Sequence, residues 1–164
     1  LIIAGMRQIP QQMASVKAGK WQMGVGKTLR GRKLGLYGYG RIAGAVSEYA
    51  QAFGMDVVWW ASEQGRKRII QDGANLAASR KAFFSECDVV SLHVRLKPTT
   101  EGLITRNDLL CMGRGALFVN SSRARLVESG ALLEALNEGR PGMAAVLITT
   151  SLAAITAVMS SRCR

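Results

Sequence analysis

"LGLYGYGRIAGAV", residues 34–46, runs from a short apolar stretch through two glycines in G-x-G spacing into a segment with helical periodicity. That order of strand, glycine turn and helix is what a phosphate-cradling turn requires. Gly38 makes the tight turn, and Gly40 lets the backbone approach a pyrophosphate. The helix behind them offers free amide groups and the positive end of its dipole to the anion. Ala43 supplies the small residue that close helix-to-strand packing needs at the third position. A G-x-G pair alone is weak, because a ligand-free glycine loop of an α/β domain carries it too. Context adds the weight: a second apolar run, "MDVVWW" at 55–60, follows at the distance of the next strand in a dinucleotide-binding unit.

The remaining chain alternates in the same way. Residues 1–18 place Ile2, Ile3, Met6, Ile9, Met13 and Val16 near a helical stripe, with Pro10 near a break or kink. Helices are expected over 41–53 and 63–71, then a weak strand near "ANLA" (74–77) and a helix near "SRKAFFSE" (79–86). The strand "CDVVSLHV" (87–94) leads to a short helix around "RNDLLCM" (106–112), the strand "GALFVNSS" (115–122), a helix over 126–139 and the strand "MAAVLI" (143–148). Alternation at crossover length implies parallel pairing. The expected fold class is therefore α/β, a Rossmann-type doubly wound parallel sheet in three α/β/α layers.

A chain of 164 residues makes about one domain, and 48% hydrophobic with 20% charged residues suits a packed soluble core. Cys87, Cys111 and Cys163 are odd in number and scattered, without metal-ligand spacing. They read as reduced thiols of a cytoplasmic protein, with no metal site. The net charge of +11 is uneven, since Arg7, Lys17, Lys20, Lys27, Arg30, Arg32, Lys33 and Arg41 all precede the first acidic residue, Glu48. Nucleic acid is the minority reading of that charge. "GKTLRGRKLG" (26–35) has no interleaved aromatics and no nucleic-acid motif, and a basic loop beside an anion-binding turn equally fits a phosphate-bearing cofactor. "GVGKT" (24–28) imitates a nucleotide triphosphate loop but has Trp21 where that loop needs glycine, and it precedes a strand instead of following one. "LIIAGM" lacks a charged leader and a cleavage site, so the chain is expected to begin inside a longer protein.

Four blocks, "LRGRKLGLYGYGRIAGAV" (29–46), "AFGMDVVWW" (52–60), "ECDVVSLHVRL" (86–96) and the long run from Leu110 to Val146, resemble the nucleotide-binding domain of the D-isomer-specific 2-hydroxyacid dehydrogenases, in order and at familiar spacing. The resemblance covers roughly residues 1–146. It implies that Gly38, Tyr39, Gly40, Arg41 and Ile42 form the pyrophosphate turn. It also implies a cofactor loop of His93, Val94 and Arg95, with Arg95 where the family commonly has proline. In "VNSSR" (119–123), Ser121, Ser122 and Arg123 fall in the cofactor site, and Arg123 matches the family's catalytic arginine. A guanidinium can fork onto a substrate carboxylate while polarising its C2 oxygen.

The same resemblance exposes departures. The family's catalytic histidine follows the last strand, whereas His93 is the single histidine here and belongs to the cofactor loop. Leu147 stands where a family aspartate would orient the nicotinamide carboxamide. "TTSLAAITAVMSSRCR" (149–164) has no acidic residue and no family likeness, so residues 1–148 are read as the dinucleotide-binding domain and 149–164 as an atypical, foreign or frameshifted tail. Residues 141–161 contain no charge and approach the length of a membrane span, but the first part is the expected last strand and Thr, Ser and Ala dilute the rest, so no membrane contact is expected.

At the end of the second strand a carboxylate normally accepts the adenosine ribose hydroxyls, yet Ala61 and Ser62 occupy that point, with Arg66, Lys67 and Arg68 following. NAD and NADP both remain open there, and Glu63 serves the ribose if the register is shifted. Resemblance thus implies an NAD(P)-binding domain for hydride transfer between nicotinamide and a small 2-hydroxy or 2-oxo acid, inactive as this fragment. Residues 1–20 carry a possible homodimer contact. A non-catalytic dinucleotide-binding or assembly module is the alternative.

Overall fold

The computed structural model describes residues 1–21 and 23–147. Five strands, β1 (Lys33–Tyr37), β2 (Asp56–Trp60), β3 (Val89–Leu92), β4 (Leu117–Asn120) and β5 (Met143–Val146), form one parallel sheet in the order β2-β1-β3-β4-β5. Seven helices accompany them among the described residues: α1 (Ile2–Met6), α2 (Ile9–Lys17), α3 (Arg41–Ala52), α4 (Glu63–Gln71), α5 (Arg80–Glu86), α6 (Arg106–Cys111) and α7 (Ala131–Asn137).

Parallel strands covered on both faces read as continuous apolar runs, which is why "VVSL" and "LFVN" are wholly buried. The pleat sends alternate residues to opposite cores. Leu34, Leu36, Trp59, Val89 and Leu117 pack with Met6, Ala43 and Ile69 beneath α1, α3 and α4. Tyr37, Val58, Val90 and Phe118 pack with Phe83, Phe84, Leu109 and Ala135 beneath α5, α6 and α7. In the second core Tyr37 meets Phe83 edge-on at 5.8 Å, and Phe83 meets Phe84 likewise at 5.3 Å. Such pairs add about 0.5–1.5 kcal/mol each beyond their area burial.

The three-layer, doubly wound architecture is thus the one the alternation implies. From β1 the chain winds outward to β2 under α3, then crosses the sheet and winds the other way from β3 to β5. That reversal opens a crevice between β1 and β3 at their carboxyl ends.

The break expected near Pro10 falls at Arg7–Gln8, between α1 and α2, where Gln8 adopts a left-handed conformation; Pro10 itself sits in the first turn of α2, where its missing N–H costs nothing. Three local expectations are corrected. "ANLA" contributes a single bridge, Leu76 to Trp59, at the β2 edge, because polar Asn75 and half-exposed Ala74 and Ala77 give it little to bury. The helix expected over 126–139 forms only from Ala131. Ala124–Leu126 is one 3₁₀ turn, and Gly130 at φ 78° resets the backbone before α7. The last strand stops at Val146; Ile148 and the tail lie outside the described residues.

Candidate functional site

Three residues separate β1 from α3, and they are held differently. Gly38 has φ 116°, and a Cβ on it would lie 2.5 Å from the His93 carbonyl oxygen and 3.4 Å from Val94 Cγ2. Its N–H donates to the Trp60 carbonyl (2.8 Å), while the His93 N–H donates to the Tyr37 carbonyl (2.8 Å). The turn is therefore stitched to the ends of both neighbouring strands. Gly40 caps α3 in ordinary extended backbone, with no side-chain cap, and a Cβ on it would meet nothing within 4 Å. The amide end of a twelve-residue helix consequently faces the crevice mouth, suited to an anion.

Tyr39, between the glycines, is clamped from outside. Its ring stands edge-on to Trp59 at 4.8 Å and its hydroxyl donates to Asp72 Oδ2 at 2.6 Å. Arg68 reaches over the ring and donates to the Tyr39 carbonyl at 3.0 Å. The hydrogen bond to Asp72, then burial, raise the phenol pKa above its ordinary value. An open groove lined by Tyr39, Gly40, Arg41, Trp59 and Arg68 runs along this outer side. Arg41 is exposed, and Ile42 is 74% exposed on the first turn of α3.

At the end of β2, the Ala61 methyl is buried in the first core. Ser62 caps α4, its Oγ accepting from the Gly65 N–H at 3.4 Å. At the end of β3, His93 Nε2 lies 3.0 Å from Ser91 Oγ, and burial lowers the imidazole pKa, which keeps the ring neutral at pH 7. Val94 packs against the second core. Arg95 is exposed, and its carbonyl accepts from Thr100 Oγ1 at 2.8 Å.

After β4 the chain makes a side-chain-supported turn. Buried Asn120 accepts from the Ser122 N–H (3.0 Å) and donates to the Arg123 carbonyl (2.9 Å). Ser122 Oγ donates to the Leu92 carbonyl (2.8 Å), tying the β3 and β4 ends together. Ser121 is exposed. Arg123 is also exposed, donates to the Ser122 carbonyl at 2.8 Å, and forms no ion pair among the described residues. All thirteen residues singled out in the sequence thus follow the ends of β1, β2, β3 and β4, on one rim of the sheet.

Two supports escaped the sequence reading. Asn120 was legible as an Asx turn, since asparagine commonly bonds its own backbone two residues on. Arg80 was not. It chelates Asp108 through Nε (2.7 Å) and Nη2 (2.6 Å) and donates to the Tyr37 hydroxyl (2.9 Å), fastening α5 and α6 behind the last residue of β1. Burial works against the Asp108 carboxylate, yet hydrogen bonds from Arg80 and from the Thr105 N–H and hydroxyl hold its pKa below the ordinary value. The sequence's mock triphosphate loop is explained as well: Lys27 donates to the Gly115 carbonyl at 2.6 Å. No His, Cys, Asp or Glu cluster suited to a metal gathers among the described residues.

A parallel sheet with a switch-point crevice, a glycine turn entering a helix, and polar loops on the same rim defines a Rossmann-type dinucleotide-binding domain. Within that class, residues 1–149 match the family model described as the NAD binding domain of D-isomer specific 2-hydroxyacid dehydrogenases. The chain belongs to that family. It is 35% identical over 147 residues to D-3-phosphoglycerate dehydrogenase of Haemophilus influenzae, covering 88% of this chain and 35% of that one. It is 34% identical over 148 residues to glyoxylate reductase of Aeropyrum pernix, covering 85% and 44%. Among solved structures, an oxidoreductase of Ralstonia solanacearum superposes with a TM-score of 0.86 at 43% identity, covering 92% of this chain and 48% of that one. The chain spans less than half the length of each of these three proteins.

Proposed function

We propose that this chain is the cofactor-holding half of an NAD(P)-dependent D-2-hydroxyacid dehydrogenase. One observation carries the reading: the open amide end of α3 at Gly40 and the unpaired guanidinium of Arg123 lie on the same sheet rim, among the described residues. Residues 1–148 form the binding unit. Gly38, Tyr39, Gly40, Arg41 and Ile42 make the pyrophosphate turn, and Ala61 and Ser62 flank the adenosine ribose. His93, Val94, Arg95, Ser121 and Ser122 border the remainder of the cofactor. When bound, the nicotinamide supplies or accepts hydride at C4. Arg123 holds the carboxylate of a small 2-hydroxy or 2-oxo acid and orients its C2 oxygen.

Binding without turnover is the behaviour proposed for this chain by itself. Its single histidine, His93, is half-buried with Nε2 3.0 Å from Ser91 Oγ, and it follows β3 in the loop assigned to the cofactor, not to the proton-exchanging base. Titration calorimetry with NADH and NADPH tests the reading. Failure of both to bind the folded chain refutes it.

The setting proposed is cytoplasmic, with reduced thiols: the Cys87 pKa is pushed up to about 12 by burial, which makes that thiol inert. No helix among the described residues is long and apolar enough to cross a membrane. A second copy is the proposed partner of the N-terminal segment, where Ile3, Ile9, Met13 and Val16 are exposed and Trp21 is 86% exposed. Light scattering that returns a monomer at high concentration refutes the dimer.

A further inference from the structure

The acidic residue that would distinguish NAD at the end of β2 is missing, and a cation stands in its neighbourhood. Ala61 and Ser62 follow Trp60 directly, and the nearest carboxylate in sequence, Glu63, is drawn into an ion pair with Lys67 at 3.1 Å on the exposed side of α4. Arg66 instead folds back over the strand end. Its guanidinium lies 4.9 Å above the Trp60 ring, and Nη1 donates to the Ala61 carbonyl at 3.0 Å. Stacking and that one hydrogen bond fix the planar group in place, half-buried, while its other N–H donors stay free of any carboxylate among the described residues. Ser62 presents a hydroxyl on the same turn, and its bond to Gly65 is long at 3.4 Å.

In an open α/β sheet this strand end is where the adenosine ribose sits, and the charge there sorts the two nicotinamide cofactors. A carboxylate accepts the 2′-hydroxyl and repels a 2′-phosphate. A guanidinium does the opposite, because it meets the phosphate's roughly −1.5 to −2 charge with parallel donors. We propose that the end of β2 is a 2′-phosphate subsite formed by Arg66 and the Ser62 hydroxyl, so that the protein selects NADP(H) over NAD(H). The inference rests on the cofactor-binding reading above and adds the identity of the cofactor.

Titration calorimetry of the full chain with NADPH and with NADH separates the two claims. NADPH binds about tenfold or more tightly, the equivalent of one charge-assisted contact. Arg66→Gln brings the two affinities within about threefold of each other, chiefly by weakening NADPH, with circular dichroism unchanged. Ser62→Asp restores a carboxylate at the strand end and turns the preference toward NADH. Equal affinities in the wild-type chain, tighter NADH, or an NADPH preference that survives Arg66→Gln each overturn the inference while leaving cofactor binding intact. Binding of neither cofactor removes both claims.

Discussion

The two glycines of the turn make separable demands, and substituting each in turn tests the assignment. Gly40 has extended backbone that any residue adopts, with open space where a Cβ would go, so Gly40→Val forces nothing inside the protein. Its cost to folding is a poorer helix cap, about 1 kcal/mol or less. For a domain of this size that lowers Tm by roughly 2–4 °C. The valine methyls project into the space at the amide end of α3, however, and exclude an anion from it. Losing two charge-assisted amide contacts at about 1.5–3 kcal/mol each weakens dinucleotide binding by roughly 100-fold or more.

Gly38→Ala inverts the pattern. The left-handed backbone costs an L-residue about 1–2 kcal/mol, and the methyl lands 2.5 Å from the His93 carbonyl, a backbone atom held in place by the β1–β3 pairing. Together these amount to roughly 3 kcal/mol or more, a Tm loss on the order of 6–12 °C. Differential scanning calorimetry reads the stabilities and titration calorimetry the affinities, on the same preparations. A Gly40→Val protein that binds NADH or NADPH within about threefold of wild type refutes placement of the pyrophosphate at this turn. A Gly38→Ala protein as stable as wild type refutes the packing argument.

Other perturbations follow from the supports behind the rim. Asp108→Asn breaks the half-buried pair with Arg80 and destabilises by roughly 2 kcal/mol after allowing for solvent at Arg80, measured by urea unfolding. Because the folded-state pKa of Asp108 is depressed, its contribution is present above the unfolded carboxylate value and fades as pH falls through the folded one. Wild-type stability therefore drops more steeply than that of Asp108→Asn in acid, and parallel pH profiles would sink the assignment. Asn120→Ala leaves the Ser122 N–H and the Arg123 carbonyl without their partner at a buried strand end, costing about 1–3 kcal/mol in the same assay. Leu147, 55% exposed after β5, tolerates aspartate without loss of stability. Leu147→Asp strengthens binding of the nicotinamide cofactor relative to ADP-ribose by up to about tenfold, and an unchanged ratio counts against a carboxamide contact there.

What could be seen in the sequence was whatever is encoded locally. The span of α4 at 63–71 was legible to the residue because Ser62 is a good cap and Asp72–Gly73 a clear stop. The turn at 38–40 was legible because Gly38, at φ 116° with the His93 carbonyl against it, occupies a conformation that only glycine accommodates. The lone bridge at Leu76 was misjudged because an edge position pairs on one side, so apolar residues there do not guarantee a strand. The late start of α7 was missed because a glycine inside an apolar periodic stretch is tolerable in a helix, and nothing local signals that Gly130 adopts φ 78° instead. The Arg80–Asp108 clasp joins residues 28 positions apart on two helices, a distance at which no periodicity speaks.

A physical division within the rim sorts its residues in a way that residue type alone does not. Gly38, His93, Asn120 and Ser122 spend backbone or side-chain polar groups on one another and on neighbouring strand ends, so their substitution is felt first as stability. Gly40, Arg66 and Arg123 keep free amides or free guanidinium donors on the same rim, so their substitution is expected to be felt first as affinity. Residue type does not separate the two groups, since each holds a glycine and each has polar side chains. Hydrogen-bond accounting does separate them, because a donor already satisfied inside the protein gains little from a ligand, while an unsatisfied charged donor gains a full charge-assisted contact. For that reason Arg66 carries more weight in the cofactor's identity than Ser62. The serine hydroxyl is partly committed to the α4 cap, whereas the guanidinium is fixed by one bond and a ring face with donors to spare.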